Sequence, residues 1–133
     1  MIYKKTDVKL GEIGEKRVKE FMEDFLDIKL EYTEEFHPYD LFCEKENLYI
    51  EVKTRRCRHD KHKTLFFSKA KLDFINKNPS NKYIFVYNLL DGLYLWNFNK
   101  DEVFLSMGGR TDRGYNEIKK LCNIPVKYLI KIN

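Results

Sequence analysis

Leu48-Tyr49-Ile50-Glu51-Val52-Lys53-Thr54 is the stretch that decides how this chain folds. Its β-branched and aromatic residues alternate as a half-buried strand should. Residues two apart on a strand point to one face, so Glu51 and Lys53 project together while Ile50 and Val52 turn to the other side. Asp7-Val8-Lys9, Asp27-Ile28-Lys29 and Glu117-Ile118-Lys119 share the acid-x-Lys form but lie in loop-like or helical surroundings. Upstream, Tyr39-Asp40-Leu41-Phe42-Cys43 reads as a second strand, and the polar Glu44-Lys45-Glu46-Asn47 between the two suits a hairpin turn. Asp40 and Glu51 are therefore expected to be neighbours in space.

Outward from this hairpin the pattern predicts a helix from about Val8 to Phe25, N-capped at Thr6 or Asp7. Leu10, Gly14, Val18, Phe21, Met22 and Phe25 form its apolar stripe. Glu15 flanks that stripe and can face the sheet rim, whereas Glu12 points well away from it. A strand is expected around Ile28 to Thr33, and a second helix from Lys69 to Asn78, capped by Ser68 and stopped by Pro79. Strands Lys82 to Asn88 and Leu93 to Phe98 follow, joined around Asp91-Gly92. Tyr83, Phe85, Tyr87, Tyr94, Trp96 and Phe98 alternate strictly on these two strands, which suits core or subunit packing better than base stacking. In the tail, Ser106 to Gly114 reads as a loop, Tyr115 to Leu121 as a short helix and Val126 to Ile132 as a final strand. The glycines of that loop lack the following Lys-Ser or Lys-Thr of a nucleotide-binding P-loop.

The chain has 133 residues, 43% of them hydrophobic, which fits one domain over residues 1–133 with a core of its own. There is no run of 18 apolar residues and no apolar leader at the N-terminus, so a soluble, intracellular (cytoplasmic) protein without a membrane partner is expected. Cys43, Cys57 and Cys122 are odd in number and widely spaced, which argues for a reducing compartment and against a disulfide framework. Cys57, His59 and His62, with Cys43 as a distant fourth, have spacing too irregular for structural zinc. His37, just before Pro38, is left without a role. The net charge is only +4, but from Lys53 to Lys71 eight cations (Lys53, Arg55, Arg56, Arg58, Lys61, Lys63, Lys69 and Lys71) face a single acid, Asp60. Charge of this density beside paired carboxylates would draw in a polyanion. Arg55, Arg56, Arg58, Lys69 and Lys71, with Arg110 and Arg113 in the tail, are the candidates for contact with a nucleic-acid backbone.

These residues resemble the PD-(D/E)XK, or restriction-endonuclease-like, nucleases. The resemblance runs from about Gly11 to Asn88: Glu15 in the first helix, Asp40 ending Pro38-Tyr39-Asp40, Glu51-Val52-Lys53 on the next strand, and the polar helix beginning at Ser68. Gly11-Glu12-Ile13-Gly14-Glu15-Lys16-Arg17-Val18 is similar to archaeal Holliday-junction resolvases. Here Tyr39 intervenes between the proline and the aspartate. The resemblance implies an α/β fold with a mixed central sheet flanked by helices, and metal-dependent DNA cleavage; the element order read along the chain is α-β-β-β-α-β-β plus a C-terminal extension.

Hydrolysis of a phosphodiester needs an activated water, charge relief on the phosphoryl oxygens and help for the leaving oxygen. Asp40, Glu51 and the Val52 backbone carbonyl offer the hard oxygens that Mg²⁺ prefers, with Mn²⁺ expected to substitute. Lys53 would orient the nucleophilic water and stabilise developing charge, and a depressed pKa would also let it take a proton. Glu15 would be an auxiliary ligand or a hold on water at the metal, and Lys71 or Lys69 would grip a phosphate. The leading expectation is an Mg²⁺-dependent endodeoxyribonuclease, junction-resolving or restriction-like. The alternatives are a non-catalytic nucleic-acid binding module on the same scaffold, and a nuclease acting on RNA or single strands. One site per subunit predicts a homodimer if both strands of a duplex are to be cut.

Overall fold

The computed structural model describes residues 2–108 and 119–133, with side chains described from Glu12 to Met107 and from Lys120 onward. The chain opens with α1 (Ile2–Leu26), longer at its N-terminus than the apolar stripe suggested. It ends in a Schellman-type turn: Asp27 takes the left-handed conformation (φ 52°) and Ile28 N–H donates back to Glu23 O at 3.1 Å. β1 is only Glu31–Tyr32, because residues 28–30 serve the helix exit, with Leu30 N–H donating to the Glu23 carboxylate at 3.0 Å. The expected hairpin follows as β2 (Leu41–Cys43) and β3 (Leu48–Thr54). Its turn closes through Asn47 N–H to Glu44 O, with Asn47 at φ 50°, a value asparagine tolerates better than most residues.

β4 (Thr64–Ser68) then forms inside the segment that charge alone had suggested was a loop. Thr64-Leu65-Phe66-Phe67-Ser68 alternates like a strand, with Leu65 and Phe67 buried and Phe66 exposed, but the flanking cations mask it. α2 (Lys69–Lys77) starts where predicted. Ser68 occupies its N-cap position with extended backbone but makes no side-chain cap bond. β5 (Lys82–Leu89) and β6 (Gly92–Asn97) pair as an antiparallel hairpin. β7 (Phe104–Gly108) and β8 (Lys119–Pro125) replace, over their described residues, the expected loop from Ser106 and the end of the expected helix Tyr115 to Leu121. The rest of both expectations lies outside the described residues. The expected last strand is instead a 3₁₀ turn, Val126–Tyr128, and a two-residue β9 (Ile130–Lys131).

Among the described residues, six strands make one mixed sheet in the order β1-β2-β3-β5-β6-β9, and β4-β8-β7 form a second, antiparallel sheet. β3 and β5 run parallel at the centre, with Glu51 opposite Phe85 and Lys53 opposite Tyr87. β5 shows why the sheet is covered on both faces. Its Tyr83, Phe85, Tyr87 and Leu89 join Tyr39, Phe67, Ile75, Trp96, Cys122 and Ile124 in one cluster. Its Ile84 and Val86 join Val18, Met22, Leu30, Leu41 and Ile50 in another. The aromatic face packs under α2 and the small sheet, the aliphatic face under α1. The aromatic alternation is therefore intrachain core, each large side chain contributing about 1.5–3 kcal/mol on burial. Glu51 and Lys53 lie on that aromatic face, which sets their chemistry.

Candidate active site

Glu51 is 2% exposed, the deepest charged side chain among those described. Strand alternation forces this: Ile50 must fill the aliphatic core, so Glu51 turns into the aromatic one. There its Oε2 meets Lys71 Nζ at 2.7 Å and Lys53 Nζ at 3.4 Å. The carboxyl pKa is pushed up to about 8, first by burial and then by a hydrogen bond and like charge from Asp40, against the pull of Lys53 and Lys71. The Lys53 amine goes the other way: burial lowers its pKa, Lys71 and Arg55 add to that, and Glu51 opposes it.

Asp40 stands at a fork. Its N–H still donates to Ile50 O at 3.2 Å, continuing the β2–β3 ladder, but its side-chain Oδ2 accepts from Val52 N–H at 2.8 Å where the next backbone partner would have been. The N–H and C=O of one strand residue face the same edge, so the Val52 carbonyl is directed past the end of β2, toward Asp40. Three restraints fix this fork. The Thr33 hydroxyl bonds the carbonyls of Tyr39 and Asp40, the latter at 3.2 Å, and Thr33 N–H donates to Asp40 O at 3.0 Å. His37 Nδ1 accepts from Tyr39 N–H at 3.0 Å while its ring stacks on Tyr49 and meets the edge of Phe74. Tyr39, the residue interposed between Pro38 and Asp40, is buried with its hydroxyl donating to Lys71 O at 3.1 Å, and Lys71 Nζ returns to Pro38 O at 2.8 Å. That reciprocal latch locks the start of α2 to the aspartate turn. His37 thus has a local structural role.

Glu15 arrives from the opposite face. Gly14 lets α1 sit directly on the C-terminal ends of β3 and β5, since a Cβ there would lie 2.3 Å from Thr54 Oγ1 and 3.1 Å from Asn88 Nδ2. The next residue, Glu15, has its pKa raised to about 7 by burial, then by Asp40, then by Glu12. Glu12 itself is exposed.

The sequence candidates therefore separate. Glu15, Asp40, Glu51, Lys53 and Lys71 come together, with the Val52 carbonyl at the same fork. Lys69 does not join them: it pairs with Asp73 at 2.8 Å on the outer side of α2. Arg55 and Arg56 are exposed just beyond β3, and Arg55 is close enough to bear on Lys53 electrostatically. Arg58 lies 3.6 Å from Asp60 and 3.7 Å from Asp91. Arg110 and Arg113 lie outside the described residues. His59 bonds Asp91 with both its ring and, at 2.9 Å, its backbone N–H, and stacks on Tyr94. Burial alone would raise Asp91, but these bonds and that of the Tyr94 hydroxyl hold its carboxyl well below the usual range. The basic segment is pinned by this anchor to the β5–β6 turn. Cys43 sits in the aliphatic core, apart from His59 at its Asp91 anchor.

Among the described residues, no three His, Cys, Asp or Glu side chains are gathered tightly enough to cage an ion. What is gathered is an acid pair of hard oxygens, Asp40 and Glu51, in which burial and then the neighbouring Asp40 raise the proton affinity of Glu51. That donor set fits a cation such as Mg²⁺, which keeps several of its waters and takes few protein ligands. Among the described residues, no helix is long and apolar enough to cross a membrane.

Comparison with known proteins places the same segment. The model of a family described as "phage putative PDDEXK endonuclease" matches residues 7–132. No curated protein matches the chain.

Proposed function

We propose that this chain, which belongs to the PDDEXK endonuclease family, cuts DNA by hydrolysing phosphodiester bonds at the fork of Asp40, Glu51 and Lys53 with a divalent cation. The observation that carries the reading is the buried Glu51 carboxyl, held against Asp40 and between two lysine amines on the aromatic face of the sheet. Asp40, Glu51 and the Val52 carbonyl would hold the ion, Mg²⁺ or in its place Mn²⁺, with Glu15 as an auxiliary ligand. When bound, the ion supplies Lewis-acid stabilisation of the phosphoryl charge and makes water a better nucleophile.

The chain's own residues supply the rest. Lys53, whose amine is biased by burial toward losing its proton, orients the attacking water and accepts a proton at Nζ. Lys71 already has its amine aimed at Glu51 by the Pro38 carbonyl, and its remaining N–H groups serve a phosphate oxygen. Arg55 and Arg56 extend this cationic edge outward along the path of the backbone. Two such sites in a two-fold homodimer would cut both strands of a duplex or of a branched junction.

The test is one gel series: supercoiled plasmid, linear duplex, single strand, four-way junction and RNA, each with Mg²⁺, Mn²⁺ or EDTA. Cleavage of DNA that disappears with EDTA, with E51Q and with K53A is the expected result, and the ranking of substrates reads the preference for branched DNA. If the wild-type protein cuts nothing, yet binds DNA with strong salt dependence that survives E51Q, the chain is a binding module and the hydrolytic reading fails.

A further inference from the structure

One polar group on the aromatic face has no part in the chemistry above. Tyr87 is 1% exposed and lies directly opposite Lys53 in the parallel β3–β5 ladder, so its side chain shares the face that carries Glu51. Its hydroxyl is buried without a hydrogen-bond partner among the described residues. The other buried tyrosines of this face are satisfied: Tyr39 donates to Lys71 O at 3.1 Å, Tyr83 to Asn78 O at 2.6 Å and Tyr94 to Asp91 Oδ2 at 3.1 Å. An unpaired buried hydroxyl costs about 1–3 kcal/mol, and phenylalanine fills such a place without that cost. Phe85 and Phe67 do so in the same cluster. The hydroxyl at 87 thus calls for a partner that none of the described residues supplies.

The surroundings say what partner. Burial first, and then the charge of Glu51, raise the Tyr87 pKa, so the group stays protonated and donates. Lys53 Nζ has N–H groups beyond its 3.4 Å contact with Glu51. Tyr87, Lys53 and Glu51 together give the two to four polar neighbours that an internal water needs. We infer that Tyr87 is a positioning residue of this site: its hydroxyl and the Lys53 amine both donate to one internal water, which holds that amine in place beside Glu51. The inference rests on the nuclease reading for its consequence in rate, though not for the water itself. No bond is made or broken at Tyr87, and the water is not the one that attacks.

The test compares wild type with Y87F, which keeps the ring and removes only the hydroxyl. Expected are a fall in kcat of about tenfold to a hundredfold, as for other groups that orient an active-site ligand, with KM and Mn²⁺ affinity within about twofold. The urea midpoint of the metal-free protein should stay level or rise. An unchanged kcat overturns the inference, and so does a parallel loss of stability, KM and metal affinity, which would mark Tyr87 as packing only. A high-resolution crystal structure decides the water independently: density within about 3.2 Å of both Tyr87 Oη and Lys53 Nζ supports it, and a direct bond from Oη to a protein group overturns it. Wild-type protein that cuts no substrate would sink the nuclease reading, and the crystallographic result would still judge the water.

Discussion

Replacing Glu51 with glutamine should remove activity and, without metal, make the protein more stable at alkaline pH. Burial and Asp40 raise the Glu51 pKa from 4.5 to about 8. The sign follows from where protons are bound: between these values the folded chain keeps the Glu51 proton while the unfolded chain loses it, so stability falls as pH rises. It is greatest below about pH 4.5 and its loss is complete above about pH 8. That raise, at about 1.36 kcal/mol for each tenfold change in proton affinity, sets a ceiling of about 5 kcal/mol. Relaxation around the charged carboxylate, with Lys71 at 2.7 Å turned to it, takes back part of this. About 2 kcal/mol is expected between pH 5 and pH 8. The amide of E51Q mimics the protonated acid, so the variant should match wild type at pH 5 and exceed it by about 2 kcal/mol at pH 8. Urea unfolding followed by circular dichroism in EDTA measures both, and the difference between proteins cancels the other titrating groups. Mg²⁺ at a hundred times its Kd should then restore about 2.7 kcal/mol to wild type and little to E51Q. A variant less stable than wild type at pH 8, or a difference that does not change with pH, would mean that Glu51 is ionised in an ordinary ion pair, and the reasoning would be wrong.

Three further outcomes follow from the same geometry. Because Glu15 and Glu51 carry pKa values of about 7 and about 8, Mn²⁺ binding at pH 7 should release about one proton and tighten as pH rises toward 8, read by calorimetry in buffers of different ionisation enthalpy; heats independent of buffer would refute it. K71M should lower the cleavage rate at least tenfold, because it strips Glu51 and the Pro38 carbonyl of a shared donor, whereas K69M, which breaks only an exposed i,i+4 pair, should change it less than twofold; equal effects in a cleavage assay would show that the two lysines act alike. Gly14→Val should destabilise by about 2 kcal/mol through overpacking against Thr54 and Asn88, and should cost activity because it lifts Glu15 away from Asp40; an unchanged melting temperature would mean that α1 does not seat closely on the sheet.

The parts of the fold that were legible in the sequence are those set by local period. Alternation gave β3, the two-stranded β5–β6 unit and the facing of Glu51 with Lys53, and the helical wheel put Glu15 rather than Glu12 toward the rim. Even there the stripe overshoots: Val18 and Met22 are buried but Phe25 is largely exposed, where the helix runs past the sheet. β4 was not legible, because its partner β8 lies more than fifty residues on and Lys63 and Lys69 flank it. Which of Lys69 and Lys71 turns inward was not legible either. On α2 it looks like Lys69, and only the latch through Tyr39 and Pro38 turns it inward. The same holds for Tyr39: as a letter it interrupts a motif, but as a side chain it fills the aromatic core and ties the helix to the aspartate.

That latch also bears on whether the acid and lysine cluster is there for the fold or for the chemistry. If stability were its only purpose, an apolar side chain at 51 would complete the aromatic cluster, since replacing buried ion pairs by packed apolar groups is often neutral or stabilising. Instead the Thr33 hydroxyl, the Val52 N–H and the Pro38 carbonyl are all committed to fixing the orientation of groups that repel or desolvate one another. Glu15 and Glu51, raised to about 7 and about 8, hold more proton near pH 7 than ordinary carboxyls do, and a dication at the fork would favour their anions. A scaffold that holds its acids at a cost, and relieves that cost on binding an ion, has its ligands preorganised. The anchor at Asp91, on the far side of the basic segment, shows the opposite: hydrogen bonds from His59 and Tyr94 outweigh burial and hold its carboxyl below the usual range. Within one small domain, then, the two acid sites differ in the sign of their shift: burial and like charge dominate at Glu51, hydrogen bonds at Asp91.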